Sequence, residues 1–392
     1  MVSLDSPNSY QVHGLHYKTG DEVIIDITDG SIQDIQACPT SDQQDNLPII
    51  APGLVDLQIN GYLGMDFNQS PLLEETVTKI TYTLVKVGVT SYYPTIITNS
   101  SEAIEQAMSA IANACHQDEM VNSVIAGIHL EGPFISPEDG PRGAHDAQYV
   151  MAPDWNLFSS WQAAADGKIK IVTLSPEWDG TDAFIKKCKE HGVTVSIGHT
   201  AASAEQINSA ADAGARLSTH LGNGAHVMLP RHPNYIWEQL ANDKLYACMI
   251  ADGFHLPASV LKVFLRAKQE KAMIVSDKVS LCGMEPGEYS LHIGGKVILT
   301  ETGKLHLADN PRLLAGSASK LIQGIQFLVN RKITTFAGAW DMASVRPAAF
   351  MQLEDSTFQI GSRADVVLFT ERDGNIDIKQ TIKKGKLVYE AD

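Results

Sequence analysis

Residues 193–220 read VTVSIGHTAASAEQINSAADAGARLSTH. The stretch opens on a short β-branched run, Val193–Ile197, and stops at Gly198-His199-Thr200. Residues 203–214 carry a helical apolar pattern that ends on Gly214. A second short run, Arg216–Thr219, follows and ends on His220. Strand, helix, strand in this order is a βα unit with its two strands parallel. Both strands stop on an imidazole.

The pattern repeats outward from that unit. Runs at Leu54–Ile59, Val89–Ile97, Val124–Leu130, Ile169–Leu174, Leu245–Ile250 and Met273–Ser276 bring the strands to eight. Amphipathic stretches at 72–88, 100–115, 181–192 and 257–270 separate most of them. Eight such units favour a closed (β/α)8 TIM barrel over an open sheet. Residues 287–307 read as an inserted hairpin and 316–330 as helix. The two ends differ from this middle. Residues 21–36 alternate around Asp29-Gly30, and 364–390 read as three short strands with turns at Asp373-Gly374 and Lys384-Gly385. Asp-Gly between alternating apolar residues is a hairpin signal. The N-terminal piece stops at Leu47-Pro48. The expected division is a small β-sandwich built from 1–52 and 346–392 around a barrel spanning 53–345.

Of the 392 residues 44% are hydrophobic and 19% charged, which excludes a mostly disordered chain. A formal net charge of −16 is the wrong sign for a general nucleic-acid or anionic-membrane surface. No apolar run reaches the ~18 residues of a membrane span. The opening MVSLDSPNSYQVHG lacks the basic and apolar regions of a secretory signal. Cysteines at 38, 115, 188, 248 and 282 are scattered, odd in number and never C-x-x-C, as expected of reduced thiols in the cytoplasm.

Barrel enzymes keep their chemistry where strands end. Here the ends read Gln58-Ile59-Asn60, His129-Leu130-Glu131-Gly132-Pro133, Gly198-His199-Thr200, Thr219-His220, Asp252-Gly253-Phe254-His255 and Ser276-Asp277. A lone strand-end histidine is more often a hydrogen-bonded structural residue than a ligand. Successive ends closing on His, His, His and Asp argue otherwise. Glu131, His199 and His220 supply one carboxylate and two imidazoles, the ligand types of a catalytic zinc site with an open position for water. The alternative is a polar barrel mouth without metal. Beside a metal, Asp277 could take a proton from water and pass it to a leaving group; without one it reads as a helix N-cap. His145 lies in a Pro/Gly-rich loop. It either aims an imidazole at a carbonyl or is a surface-loop histidine. There is no P-loop, no H-E-x-x-H, no G-x-S-x-G at Leu314-Ala315-Gly316-Ser317, and no dinucleotide fingerprint.

Ala51-Pro52-Gly53-Leu54-Val55-Asp56, with the C-terminal Gly361-Ser362-Arg363-Ala364-Asp365-Val366-Val367, resembles the amidohydrolase superfamily. More narrowly, Gly127 to Phe134, Val172 to Glu177, Gly198-His199-Thr200, Thr219-His220-Leu221 with Asn223, Ala251 to His255 and Leu314 to Ser317 resemble the N-acetylglucosamine-6-phosphate deacetylase family. The resemblance implies hydrolysis of an acetamide on an amino sugar phosphate by a homodimer. Glu131, His199 and His220 would hold one divalent metal, zinc first, with iron, manganese or cobalt as alternatives. Gln58 and Asn60 replace the imidazoles that hold a second metal in many amidohydrolases, and amides are poor ligands for such a site. Asp277 would be base and then acid, and His145 would polarise the carbonyl. Ala144, His145, Asn223, Gly224, His255 and Leu314 would line the sugar site. Arg231 would grip the phosphate, reaching into a neighbouring subunit.

Two segments depart from the family. Asn223 is followed by Gly224-Ala225-His226-Val227-Met228-Leu229-Pro230-Arg231-His232-Pro233 instead of an Ala-Met-Pro-type run. The base segment reads Ser276-Asp277-Lys278-Val279-Ser280 instead of Thr-Asp-Ala. His226 and His232 either add positive charge near Arg231 or are surface residues. Rival readings are an amidohydrolase acting on a different N-acetylamino sugar, N-acylamino acid or cyclic amide, and a catalytically silent barrel that binds sugar phosphate.

Overall fold

The computed structural model describes residues 9–38, 47–291, 295–353, 358–372 and 374–391. Its centre is an eight-stranded parallel sheet: β1 (Leu54–Ile59), β2 (Val89–Ile97), β3 (Ile128–Glu131), β4 (Ile169–Leu174), β5 (Thr194–Ile197), β6 (Leu217–Ser218), β7 (Tyr246–Ile250) and β8 (Ala272–Val275). Spatial order follows chain order. The ring closes between β8 and β1 just beyond the strand ends. Asp277 N donates to Gln58 O at 3.0 Å and Asn60 N to Lys278 O at 2.9 Å. Asp56 reinforces the seam by accepting from Ser276 N (3.1 Å) and Ser276 Oγ. Lys278, wholly buried, sits 3.8 Å from Asp56 and over the Tyr62 ring.

The expected strands match with one clear exception. Residues 119–124 are helix, and β3 starts only at Ile128. The Asp118 side chain accepts from Val121 N and starts that helix locally, which the apolar run alone did not reveal. Residues 287–307 form a three-stranded antiparallel sheet (Gly287–Leu291, Gly295–Leu299, Leu305–Leu307) rather than a hairpin. The helix expected over 316–330 is confined to Leu321–Asn330. Its first residues are instead drawn into an extended contact with the segment 276–280, where Val279 N donates to Ser317 O at 2.9 Å.

Both chain ends share one seven-stranded sheet, ordered Lys386–Glu390, Asn375–Lys383, Val366–Arg372, Ile49–Pro52, Ser9–His16, Glu22–Thr28, Ser31–Ala37. Asp373 of the expected Asp373-Gly374 turn lies outside the described residues. This sheet is fixed to the barrel by polar ties. Trp340 Nε1 donates to Pro52 O (2.9 Å), Thr381 Oγ1 to Val85 O (2.7 Å), and the buried Lys383 bridges Asp365 (2.8 Å) and Ser91 (3.1 Å). The helix Val345–Phe350, where the sequence division falls, places Ala348 and Phe350 in one apolar cluster with Val55, Leu57, Ile171 and Leu217 of the barrel strands.

Candidate metal centre and its cavity

Glu131 is the last residue of β3. His199, His220 and Asp277 each lie two residues past β5, β6 and β8, and all three have positive φ (49°, 24° and 47°). A strand alternates its side chains; a left-handed residue just after it re-aims one side chain into the barrel mouth. Such backbone costs of order 1–3 kcal/mol per residue and concentrates at functional sites.

There Glu131 Oε1 lies 3.2 Å from His199 Nε2 and 3.0 Å from His220 Nε2, and the two imidazole nitrogens are 3.1 Å apart. All three side chains are buried. His199 Nδ1 donates to the Pro141 carbonyl at 2.8 Å, so in the neutral ring Nε2 is a bare lone pair. A lone pair facing a carboxylate oxygen repels it, and a cation between them relieves that repulsion. The edges of the triangle approach the ~3.3 Å separation of donors around a tetrahedral zinc. The donor set therefore fits a divalent ion. Gly224 permits the close packing, since a Cβ there would come 2.7 Å from His199 Nδ1.

The amides beside this cluster act as donors. Gln58 Nε2 donates to Glu131 Oε1 (2.8 Å) and Asn60 Nδ2 to Asp277 Oδ1 (2.8 Å). Burial alone would raise Glu131, but His199 and His220 outweigh it and hold the carboxyl well below its usual range. Burial, then the Glu131 charge, raise Asp277 to about 8. Burial, then His199, lower His145 to about 3, so this ring is neutral near pH 7. Its Nδ1 meets Thr98 Oγ1 at 2.7 Å, and its ring packs edge-on against His199, centroids 4.4 Å apart. His129 is structural: its nitrogens meet Leu57 O (3.0 Å) and Thr173 Oγ1 (2.7 Å), tying β1 to β4 beneath the mouth.

A cavity of about 530 Å³ opens over the cluster. Glu131, His199, His220, Asp277, Ala144, His145, Asn223, Gly224, His255 and Leu314 all line it. His255 is oriented by Asp252, whose Oδ2 meets Nδ1 at 2.7 Å. Arg231 does not line it, and both Arg231 and His232 are exposed. His226 forms part of the wall, bound to Glu138 (3.0 Å) and the Tyr235 hydroxyl (3.1 Å). Sequence reasoning missed Thr98, just past the end of β2, and Arg312, the only arginine or lysine among the described residues lining the cavity. The end of β2 was the available signal for Thr98. Arg312 stands two residues before Leu314, the available signal there.

A parallel barrel with a Glu–His–His cluster at its mouth has the make-up of a metal-dependent hydrolase, and the chain belongs to the amidohydrolase family, whose signature covers residues 49–388. It is 30% identical over 346 residues to the N-acetylglucosamine-6-phosphate deacetylase of Bacillus subtilis (strain 168), covering 87% of this chain and 85% of that protein. It is 27% identical over 369 residues to the N-acetylgalactosamine-6-phosphate deacetylase of Escherichia coli O157:H7, covering 92% and 93%. The N-acetylglucosamine-6-phosphate deacetylase of Pasteurella multocida has the same fold, with TM-score 0.83 and 24% identity over 97% of this chain and 99% of that one.

Proposed function

We propose that this chain hydrolyses the acetamide of an N-acetylamino sugar 6-phosphate, N-acetylglucosamine-6-phosphate first, to acetate and the free amino sugar phosphate. The observation that carries this is the meeting, in one cavity, of the Glu131–His199–His220 triangle with the half-buried Asp277 carboxyl and the buried His145 imidazole. Glu131, His199 and His220 would hold one divalent ion, zinc first, with iron, manganese or cobalt as alternatives. Such an ion supplies Lewis acidity, lowering the pKa of water and polarising a carbonyl. Gln58 and Asn60, whose N–H groups bind Glu131 and Asp277, are amides and so poor ligands for a second ion, which favours a single one.

Asp277 takes the proton from the attacking water and returns it to the departing nitrogen; burial and the Glu131 charge raise this carboxyl in the ion-free chain, which strengthens it as a proton acceptor. His145 Nδ1 and Thr98 Oγ1 share a hydrogen bond; in the tautomer that carries its proton on Nε2, Thr98 is the donor and Nε2–H is left to donate to the acetyl oxygen as charge develops there. Asn223, Gly224, Ala144, His255 and Leu314 shape the sugar site. Arg231, exposed and outside its own cavity, serves the phosphate in a partner's cavity, and the working form is a homodimer. The reading includes a cytoplasmic location: all five cysteines are free, and among the described residues no helix is long and apolar enough to cross a membrane.

The test is acetate release by ion-loaded protein on N-acetylglucosamine-6-phosphate, its galactosamine epimer and both unphosphorylated sugars. Turnover restricted to a 6-phosphate supports the reading. Turnover of none, with the ion bound, overturns the substrate and points to another N-acyl compound.

A further inference from the structure

One other set of metal-ligand types converges among the described residues: His13, Glu22 and Cys38. They come from three neighbouring segments at one edge of the seven-stranded sheet. Leu15 pairs with Glu22 across the first two strands, and Cys38 N donates to Glu22 O at 2.8 Å across the next two. Strand alternation then puts His13, Glu22 and Cys38 on one face, opposite the face that buries Val12, Val23 and Ile25. His13 Nε2 lies 2.8 Å from Glu22 Oε1, and one donor atom of each residue lies within 4.8 Å of the other two. Cys38 is half-buried, whereas the other four cysteines are buried. Hence the one thiol open to solvent in this chain stands beside an imidazole and a carboxylate.

We propose that His13, Glu22 and Cys38 form a second divalent-metal site, separate from the barrel mouth, for zinc or a similarly borderline-soft ion. Nitrogen, oxygen and sulfur donors are the zinc set, and a thiolate disfavours magnesium and calcium. Three protein donors leave a position for water. A metal there would clamp the end of the edge strand, at Cys38, to the two strands beside it. Nothing in this site depends on the deacetylase reading.

The experiment uses the full chain, stripped with a chelator and reloaded with Zn²⁺. The alkylation rate of Cys38 by iodoacetamide is followed by peptide mass spectrometry. Zinc should slow alkylation at least about tenfold, because the bound thiolate is no longer free to attack. Cys38→Ser should bind one zinc fewer than wild type with unchanged hydrolytic activity. His199→Ala, which disturbs only the barrel cluster, should keep the protection. An alkylation rate indifferent to zinc overturns the proposal. So does protection that survives in the His13→Ala/Glu22→Gln double variant.

Discussion

Thr98→Val isolates the role of one hydroxyl. Thr98 is buried, and its Oγ1 is 2.7 Å from His145 Nδ1. A hydroxyl can donate or accept and so fits either tautomer; the proposed role needs it to donate to Nδ1 and leave the proton on Nε2. Valine keeps the shape and removes that bond. A buried nitrogen left without its partner costs about 1–3 kcal/mol. If the cost falls on the transition state, where Nε2–H meets the developing oxyanion, kcat drops about 5- to 150-fold at ~1.36 kcal/mol per tenfold. KM should change little, because the ground-state carbonyl asks less of that bond. Space is tight: a Cβ on Gly132 would lie 2.2 Å from Thr98 Oγ1, so a thermal melt must show that the valine variant is folded. Thr98→Ser, which restores the hydroxyl, should recover most of the loss, and ¹⁵N chemical shifts of His145 should report a changed tautomer in the valine variant only. A folded Thr98→Val protein within twofold of wild-type kcat, or a serine variant no better than valine, refutes the reasoning.

Asp277→Asn should keep its fold and its bound ion yet lose most of kcat; near-normal turnover would remove Asp277 from the mechanism. The same variant tests the pH linkage. Asp277 sits at about 8 in the folded chain, against about 4 for an ordinary carboxyl. The ion-free folded state therefore keeps a proton that the unfolded chain releases, so this contribution to stability is present below about pH 4 and is lost as pH rises toward 8. Ion-free Asp277→Asn should show a flatter pH–stability curve between those limits, and parallel curves would contradict the shift. His199→Ala should lose the barrel ion, measured by metal analysis against the Cys38→Ser background; full occupancy there would overturn the ligand set. Mixed dimers of Arg231→Ala with Asp277→Asn should regain activity on the 6-phosphate, because one cavity then receives Asp277 from one chain and Arg231 from the other. Failure to regain it, together with a loss of phosphate preference in Arg312→Ala, would move the anion contact to Arg312 of the same chain.

Residue type carries chemistry, and the site was legible where that chemistry sits at a strand end. Glu131, His199, His220 and Asp277 announce themselves because polar and ionisable residues interrupt β-branched runs at a recurring place. The same logic found His255, whereas Asn223 came from the family resemblance. It did not find Thr98, whose hydroxyl is ordinary until folding brings His145 to it across 47 residues, nor the Pro141 carbonyl, which any residue could supply to His199 across 58. Arg231 illustrates the opposite limit. The motif places an arginine near the site in sequence, while the chain folds it onto the exterior. In the fold, the start of β3 was misread because a side-chain cap at Asp118 competes with an apolar run, a contest of neighbours that periodicity does not weigh.

The repeated offset of two residues at His199, His220 and Asp277 explains how so few positions control the site. A β-strand cannot turn two successive side chains the same way, so a functional residue continuing the strand has its direction fixed by the pleat. One residue of left-handed backbone beyond the strand frees that direction. The strained turn is held in place by neighbouring main chain: Ser136 N donates to His199 O (2.8 Å), Leu221 N to Cys248 O (2.8 Å), Asn223 N to His220 O (3.0 Å), and Asp277 N to Gln58 O (3.0 Å). Two of these bonds, to Cys248 of β7 and to Gln58 of β1, come from barrel strands, so at His220 and Asp277 the strained turn is tied to the barrel itself. The seam between β8 and β1 illustrates this best. One of the hydrogen bonds that close the barrel is made by the backbone of Asp277 itself, and Gln58, whose carbonyl accepts it, also donates its side-chain amide to Glu131. The closure of the fold and the aim of the Asp277 side chain are thus coupled.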